Sequence, residues 1–538
     1  MGGVADGQLT DFNDSPIFGK SIPSYCHTLG PKLQTFPLIL VIRPIAYFRP
    51  VQAARPPTRG PGAGSILRSA LLGLTGCGLV ACSLGPHYKR PDIPPPEAWR
   101  NSAQQPPALP AARPEWPSSD WWRGFDSPTL DDLMQQAQAA NDDIAAAIAR
   151  IQQADAQARI AGAPLLPSLG VDAAGTRQRS LQPSLTPAGK LAPRPTTANT
   201  FTAELTASYE LDFWGKNRAL RDAAKAAALA SRYDRATVEL TVMQSVASTY
   251  FQALELRDRL KVAHDNVASA SDTLKGLRLE AQVGTVTALD VAQQETTVAT
   301  LEAEIPPLNQ QFGETLDALA ILVGKQPEVL DISSGTLTDL EEPQVTPGLP
   351  SELLARRPDV AEAEAQLIAA NANIAAARAA FFPTISLTAD GGFASAALST
   401  LFNPVSRAWS ATAGVTQPIF EGGALVGQYQ LNKGRYAELL ADYHKAVISA
   451  FGNVEDALVS VQQTAEQLQR QQEAVATARH AYELTQAQFH AGTINILIVL
   501  STETALFTAE DILVQVKYSH LNSLIALFSA LGGGWQRT

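Results

Sequence analysis

The clearest pattern along the chain is a strict alternation of apolar and polar residues. From Phe201 to Asp212 every odd position is apolar and every even position is polar. A period of two predicts a β-strand with one apolar face and one wet face. A strand of about 11 residues also has the length needed to cross a bilayer at a tilt.

Directly after this strand the period changes to that of a helix. The helical pattern runs for 68 residues, from Lys216 to Val283, without a proline. At ~1.5 Å per residue such a helix would be roughly 100 Å long. A reversal is predicted at Gly284-Thr285, followed by a return helix from Val286 to Val323. Pro306-Pro307 is expected to kink that return helix.

The same order of elements occurs a second time. The first copy begins with an Ala-rich helix over 141–162 and a strand over 168–179, followed by a Pro-containing loop over 180–199. Residues 163–171 match 379–387 at an offset of 216, and Gln282–Thr285 matches His490–Thr493 at an offset of 208. The second long helix, over 424–491, again has 68 residues. We therefore expect an internal repeat, with one copy over 121–324, a linker over 325–350 and the other copy over 351–538.

Four strands per chain cannot close a barrel, and open strand edges do not persist in a bilayer. Three chains would supply twelve strands. In each half, the short helix and the return helix together nearly equal the long helix in length, so they would stack as a second column beside it. The predicted fold is a mixed α and β membrane protein: a trimeric 12-stranded β-barrel continuous with a long α-helical barrel. Its predicted lipid-facing strand residues are Phe201, Leu205 and Tyr209.

The alternative is a soluble, elongated coiled-coil structural protein whose strands form a small cap. Its long helices would show sustained heptads of Leu and Ile. Alanine dominates these helices instead, and large apolar residues are sparse. Alanine suits close packing of adjacent helices in a cylinder wall.

Composition narrows the possible functions. The formal net charge is −11, and no basic stripe of the kind that binds nucleic acid is present. All three cysteines lie within the first 82 residues, and no histidines are spaced as a metal-ligand pair. We therefore expect no enzymatic activity, no cofactor and no metal site.

The first 120 residues are interpreted as containing signals for export of the protein and for its anchoring to a membrane. Residues 1–64 are rich in Pro and Gly and are expected to be an over-long translation start. Residues 65–81 have the basic and apolar character of a secretory signal. The tetrad Leu79–Cys82 matches a bacterial lipobox, which makes Cys82 the expected lipidation site; a competing box ends at Cys77. Residues 82–120 would form an extended, Pro-rich tether.

Several motifs together resemble those of TolC-type outer-membrane efflux proteins, and in particular the NodT-type lipoprotein branch. The resemblance covers residues 82–538. The motifs that carry it are Gly85–Pro91, Trp121-Trp122, Tyr209–Gly215, Arg356–Val360, Pro418–Gly423 and Leu531–Trp535.

The resemblance implies a homotrimer in the outer membrane, in contact with its lipid and with a long periplasmic portion. The protein would be a passive exit duct for small molecules such as drugs or toxins. Its partners would be a periplasmic membrane-fusion adaptor and an inner-membrane pump of the resistance-nodulation-division (RND) class. The adaptor-docking tips implied by the family are Gly284, Thr285, Gly492 and Thr493.

The resemblance also directs attention to the closed end of the duct. Well-known family members place aspartates one and two turns beyond the second tip, and those positions hold Ile498 and Ser501 here. Apolar residues such as Ile496 and Ile498 would then form the constriction. The first half keeps Asp290, which either faces the pore axis or is a solvated acid favoured by the helix dipole.

Overall fold

The computed structural model describes residues 85–96, 98–100, 116–185, 189, 191–332, 334–343, 345 and 350–537. The predictions made for the over-long start, the signal sequence and lipidation at Cys82 lie outside the described residues.

The first half contains four helices and two strands among its described residues. Helices α1 (Pro128–Ala140) and α2 (Asp142–Gly162) precede strands β1 (Ser168–Leu185) and β2 (Leu191–Leu211). The long helix α3 (Lys216–Gln282) and the return helix α4 (Ala288–Leu322) follow. Helix α4 continues as one element through Pro306 and Pro307.

The second half repeats this plan. After the one-turn helix α5 (Pro350–Leu353) come α6 (Pro358–Ala379), β3 (Thr384–Ser395) and β4 (Arg407–Thr416). The long helix α7 (Ala424–His490) and the return helix α8 (Ile496–Ala530) complete it. The long helices have 67 residues in each half, and the return helices have 35. The predicted internal repeat is confirmed.

The short and return helices stack end to end, as expected from their lengths. The Asn141 side-chain amide, at the start of α2, donates to the Leu322 carbonyl at the end of α4 at 2.9 Å. In the second half Arg357, at the start of α6, donates to the Ala530 carbonyl at the end of α8 at 3.1 Å. Each half therefore forms two columns, one continuous and one made of two pieces.

The four strands form one antiparallel sheet in the order β1-β2-β3-β4. The loop predicted over 180–199 is wrong, because β1 and β2 remain paired as far as Leu185 opposite Leu191. Strand β3 ends at Ser395, opposite Phe201, so the hairpin beyond this point is a two-stranded ribbon. Proline is tolerated in such edge positions, where no third strand requires its missing N–H.

The largest core lies where the columns are joined. Trp121 stacks on Phe528 of α8 with ring centroids 5.2 Å apart, and Phe125 meets Phe251 of α3 edge-on at 5.0 Å. Helix α1, which was not predicted, buries Leu130, Leu133, Met134 and Ala137 in this core. The core therefore fixes the middle of the molecule, with the sheet at one end and the helix tips at the other.

Candidate functional site

One face of the sheet is apolar on all four strands. Directly paired residues of antiparallel strands point to the same side. Leu205 pairs with Val171 on β1 and with Gly391 on β3, and Gly391 pairs with Trp409 on β4. Within one chain Leu205 is 51% exposed, Val171 80% and Trp409 82%. An apolar face that continues across all four strands with side chains this exposed marks a surface for contact with a membrane or another protein.

The apolar face has the height expected of a membrane-spanning sheet. On β2 it runs from Leu211 to Phe201, which corresponds to about 25 Å for a strand tilted as in membrane barrels. Aromatic residues lie at both ends: Trp214 stacks on Phe382 at 4.8 Å, and Phe393 meets Phe402 at 5.4 Å. Phe201, Leu205 and Tyr209 share this face, and their contact with lipid stays a prediction.

The opposite face is polar and acidic. Asp172 accepts a hydrogen bond from Thr206 at 3.3 Å, and Asp390 accepts one from Ser410 at 3.0 Å. Glu204 is paired directly with Asp172 in the strand register. Among the described residues no ion pair reaches these three carboxylates. When the sheet closes with its apolar face outwards, this face lines the lumen.

The two helix reversals have the same backbone geometry. Gly284 and Gly492 adopt left-handed φ angles of 81° and 70°, which glycine accommodates without a steric penalty. The Thr285 N–H donates to the Glu280 carbonyl at 3.1 Å, and the Thr493 N–H donates to the carbonyl five residues earlier at 3.0 Å. Both threonine hydroxyls donate to the same carbonyls at 2.9 Å. Each long helix therefore ends with a glycine in the left-handed conformation.

The residues after the two tips differ. Thr287 and Asp290 form a capping box at the start of α4, in which Asp290 Oδ2 accepts from the Thr287 N–H at 2.8 Å and from its hydroxyl at 2.7 Å. At the start of α8, Asn495 accepts from the Leu497 N–H at 3.0 Å. Ile498 occupies the position that Asp290 occupies in the first half. The Asp290 carboxylate therefore caps the start of α4. This favours its interpretation as a helix-start acid.

One of the expected constriction residues has to be corrected. Ile496 is only 3% exposed and packs in a tip cluster with Leu277, Tyr482 and Val499. Its side chain fills the space between helices of the same chain, so it has no surface with which to line a pore. Ile498 is 47% exposed and Ser501 is exposed, and both remain candidates.

A buried carboxylate near the tips was missed by the sequence analysis. Glu503 of α8 is fully buried and accepts hydrogen bonds from Tyr482 at 3.0 Å, Thr273 at 3.3 Å and Gln294 at 3.3 Å. These three partners belong to α7, α3 and α4, so one side chain connects all four helices. The available signal was that Glu503 is the only charged residue between 496 and 509.

A groove opens between α3 and α7 behind the tips. Its volume is about 290 Å³, and its lining combines apolar side chains with carboxylates. The lining includes Leu277, Phe489, Ile496, Asp272 and Glu280. The groove therefore lies beside both reversals.

The described part of the tether lies along α6 and α7 without regular secondary structure. Asn371 donates to the Pro86 carbonyl at 2.9 Å, and Arg90 pairs with Glu364 at 3.5 Å. Further along, the Arg100 N–H donates to Glu455 at 2.7 Å. The tether therefore runs antiparallel to α6, with its first residues nearest the end of α6 that leads into β3.

Two further properties concern the described residues as a whole. None of their helices combines the length and the apolar character needed to cross a membrane. No group of three or more potential metal-ligating acids, histidines or cysteines occurs among them.

The sequence matches the family model "Outer membrane efflux protein" over residues 133–325 and 349–533. The pyoverdine export outer membrane protein OpmQ of Pseudomonas putida is 39% identical over 459 residues, covering 85% of this chain and 96% of that protein. The cation efflux system protein CusC of Escherichia coli is 30% identical over 462 residues, covering 85% and 97%.

Solved structures agree with these matches. The outer-membrane channel OprN has a TM-score of 0.77 and 26% identity, covering 85% of this chain and 100% of that one. The open state of the MtrE outer membrane channel of Neisseria gonorrhoeae has a TM-score of 0.75 and 27% identity, covering 85% and 99%. These relatives are trimeric channels with a β-barrel and a helical barrel.

The alternative of a soluble coiled-coil structural protein is therefore not retained. The protein is an outer-membrane channel for efflux with a long periplasmic helical portion. Matched in both of its halves and over nearly the full length of its relatives, this chain belongs to the outer membrane efflux protein family.

Proposed function

We propose that this channel is the exit duct of an RND-type tripartite efflux system. It would conduct small molecules passively from a periplasmic adaptor and an inner-membrane pump to the outside. The observation that carries the proposal is the two-faced sheet that leads directly into two helices of 67 residues. The pump supplies the energy, so no residue of this chain has to perform catalysis.

The cargo class follows from the relatives and from the lumen. Relatives at 39% and 40% identity are named for pyoverdine export, and others at 33% and 30% for toluene and cation efflux. The polar sheet face offers a hydrated passage with carboxylates rather than a closed pocket. A pyoverdine-like secreted compound is accordingly the first cargo to test.

A deletion strain tests the function directly. We expect cells without the gene to retain the cargo, and the wild-type gene to restore its appearance in the medium. The Leu205→Arg variant serves as a matched control that cannot insert. Purified wild-type protein should form trimers that conduct ions in a planar bilayer. Restoration of export by a protein that forms no channel would overturn the proposal.

The two helix tips are the proposed docking sites for the adaptor. Their matching turns project Thr285 and Thr493 at the same end of the molecule, and the groove between α3 and α7 lies directly behind them. Disulfide crosslinking from Thr285→Cys or Thr493→Cys to cysteines in an adaptor hairpin should succeed. A matched control is Thr297→Cys, which lies within α4 away from the turn. Failure at both tips in a functional protein would remove the assignment.

The resting constriction is proposed to be apolar, at Ile498, with Ser501 one turn further. Ile498 is half-exposed beside the tip, whereas the corresponding Asp290 is held in its capping box. A narrow ring of isoleucine side chains can close partly by dewetting.

The lipid anchor is proposed to be Cys82, with Ser83 after it permitting outer-membrane sorting as the resemblance implies. The course of the tether supports this site, because Gly85 packs against Ala375 near the end of α6 that leads into the sheet. A chain of three residues reaches at most about 10 Å from there. Mass spectrometry of the mature amino terminus should find lipid on Cys82. An adduct on Cys77, or an unmodified terminus further along, would contradict the proposal. Because the barrel itself inserts, Cys82→Ser should lower assembly yield more than channel activity.

A further inference from the structure

The apolar face of the sheet ends in arginines on both edge strands. On β1, Gly175 is followed on the same face by Arg177 and then Arg179. On β4, Trp409 is followed on that face by Arg407. All three arginines are exposed. We call these three residues the arginine collar.

The border of the apolar face is staggered from strand to strand. On β2 it lies at Phe201, directly opposite Gly175. On β4 it lies at Trp409. Trp409 pairs with Gly391, Gly391 with Leu205, and Leu205 with Val171, so Trp409 is level with Val171 in the sheet. The border on β4 is thus offset from that on β1 by the distance from Val171 to Gly175. Strands that tilt in a barrel produce this stagger when a face borders a flat membrane surface.

Barrel closure brings the two ends of the collar together. Because β1 and β4 are the two edges of the sheet, β4 of one copy must pair with β1 of the next. The apolar face can form one continuous ring only if its border on β4 meets its border on that β1. Arg407 of one copy then lies at the same seam as Arg177 and Arg179 of the next, and a trimer has three such seams.

The two sequence segments around the collar contain no acidic residue. The segment 176–201 has four basic and no acidic residues, and the segment 396–407 has one basic and none acidic. This contrasts with a net charge of −11 for the whole chain. No ion pair involving the described residues neutralises Arg177, Arg179 or Arg407. A group of exposed guanidinium groups without carboxylates matches an anion with several oxygens, above all a phosphate.

The position of the collar specifies where that phosphate comes from. The arginines lie on the apolar face rather than on the lumen face, immediately beyond Phe201 and Trp409. On the membrane side of Arg407, Trp409 is 82% exposed, which provides apolar surface for acyl chains. A phosphate attached to acyl chains can contact both the arginines and the apolar side chains next to them, whereas a soluble phosphate can contact only the arginines.

We propose that the arginine collar binds the phosphate groups of lipid A in the outer leaflet, with one binding site at each seam between copies. The inference rests on the trimeric barrel of the family and not on the cargo or the pump. Binding at the seam would also stabilise the contact between neighbouring chains, because each site contains residues from two of them.

Purified full-length trimer in zwitterionic detergent can be titrated with diphosphorylated lipid A, and the bound molecules counted by native mass spectrometry. We expect up to three tightly bound molecules per trimer. The R177Q/R179Q/R407Q variant should bind with affinity reduced by about tenfold to a hundredfold, since each basic residue near an anionic lipid surface contributes about fivefold. Lipid A without phosphates should bind the wild type as weakly as the variant does.

The matched control removes the same number of charges from the periplasmic part of α7. Arg435, Arg470 and Arg479 are exposed there, and the R435Q/R470Q/R479Q variant should bind lipid A like the wild type. Trimer formation and bilayer conductance are measured on every preparation. A trimeric, conducting collar variant with unchanged lipid A affinity would overturn the inference while leaving the channel function intact.

Two further outcomes also decide the matter. Complete displacement of lipid A by millimolar inorganic phosphate would show a site for a soluble anion and would overturn the lipid assignment. If the triple variant does not assemble, the single Arg407→Gln variant replaces it, with an expected loss of about threefold to tenfold. An Arg407→Gln trimer with wild-type affinity would contradict a site shared between copies.

Discussion

The two halves of the chain have the same backbone plan and different side chains at matched positions. At the tips, the capping box of Thr287 and Asp290 in the first half corresponds to Asn495 and Ile498 in the second. Further along, the exposed Glu295 pairs with Arg278 at 2.8 Å, whereas the corresponding Glu503 is buried. The two halves thus share a backbone, while their side chains make the first tip polar and the second tip apolar.

The hairpins of the two halves differ in the same way. The β1–β2 hairpin continues as a paired ribbon beyond the level at which β3 ends, while the β3–β4 connection does not. Both hairpins nevertheless keep the same apolar face within the membrane-sized part of the sheet. The contrast indicates that the membrane-sized part of the sheet is constrained equally in both halves, and that the hairpins diverge outside it.

The largest effect is expected where the halves are equivalent. Leu205→Arg on β2 and Leu387→Arg on β3 should both abolish trimer assembly, because a charge at mid-membrane on the lipid face costs about 2–4 kcal/mol per chain. Glu204→Arg, on the polar face, should be accepted. The measurement is the amount of trimer in the outer-membrane fraction. Equal tolerance of Leu205→Arg and Glu204→Arg would count against a lipid-facing apolar face.

A large difference between the halves is expected at Glu503 and Glu295. Glu503→Ala removes the acceptor of the Tyr482 hydroxyl, whereas Thr273 and Gln294 keep the Ser269 and Ala270 carbonyls as acceptors. The expected cost is about 1–3 kcal/mol for the buried group left unsatisfied. Glu295→Ala removes only an exposed ion pair worth less than about 1 kcal/mol. Hydrogen exchange at the tips should accelerate strongly in the first variant and little in the second. Similar exchange in both would show that the buried carboxylate does not hold the four helices together.

The ion selectivity of the resting channel is expected to depend on the charge at the second tip and not on the charge at the first. Ile498→Asp would place three carboxylates at the constriction of a trimer, where low-dielectric walls strengthen their field. We expect this variant to become cation-selective and readily blocked by trivalent cations in planar bilayers. Asp290→Asn should change selectivity little.

Two outcomes would alter this interpretation of the constriction. Strong cation selectivity of the wild type that is lost in Asp290→Asn would show that the first tip, and not the second, sets the charge of the constriction. Strong selectivity lost in Ile498→Ala instead would indicate a steric gate of another kind.

The smallest effect concerns a titrating group present in one half only. Burial, together with the charges of the nearby Asp234 and Asp359, raises the pKa of Glu362 on α6 from 4.5 to about 7. The corresponding position in the first half is Ala146, which cannot titrate.

The folded protein therefore keeps a proton that the unfolded chain releases. The resulting stability is complete below about pH 4.5 and is lost as the pH rises through about 7. Glu362→Gln should flatten the decrease in Tm between pH 5 and pH 8, whereas Glu302→Gln, at an exposed position of α4, should not. An unchanged pH dependence in Glu362→Gln would contradict the shifted pKa.

The sequence predicted the long elements accurately for a physical reason. The change to a helical period at one end and the glycine reversal at the other placed α3 and α7 to within one residue of their observed ends. Proline was a poorer guide, because α4 continues through Pro306 and Pro307 and because an edge strand tolerates proline, so that the β1–β2 ribbon was interpreted as a loop. Periodicity also could not show which side of a helix meets a partner helix. For that reason Ile496 was placed at the pore although it is buried, and Glu503 was missed.

The staggered border of the sheet has a mechanical consequence. The radius of a closed barrel is set by the number of its strands and by their stagger, both of which are held by backbone hydrogen bonds between every pair of neighbours. Changing the aperture at that end would require these ladders to slip by whole residues. The sheet end is therefore a passage of fixed width. Near the tips, by contrast, neighbouring helices are connected by side-chain contacts such as those of Glu503, which can change without breaking a backbone ladder.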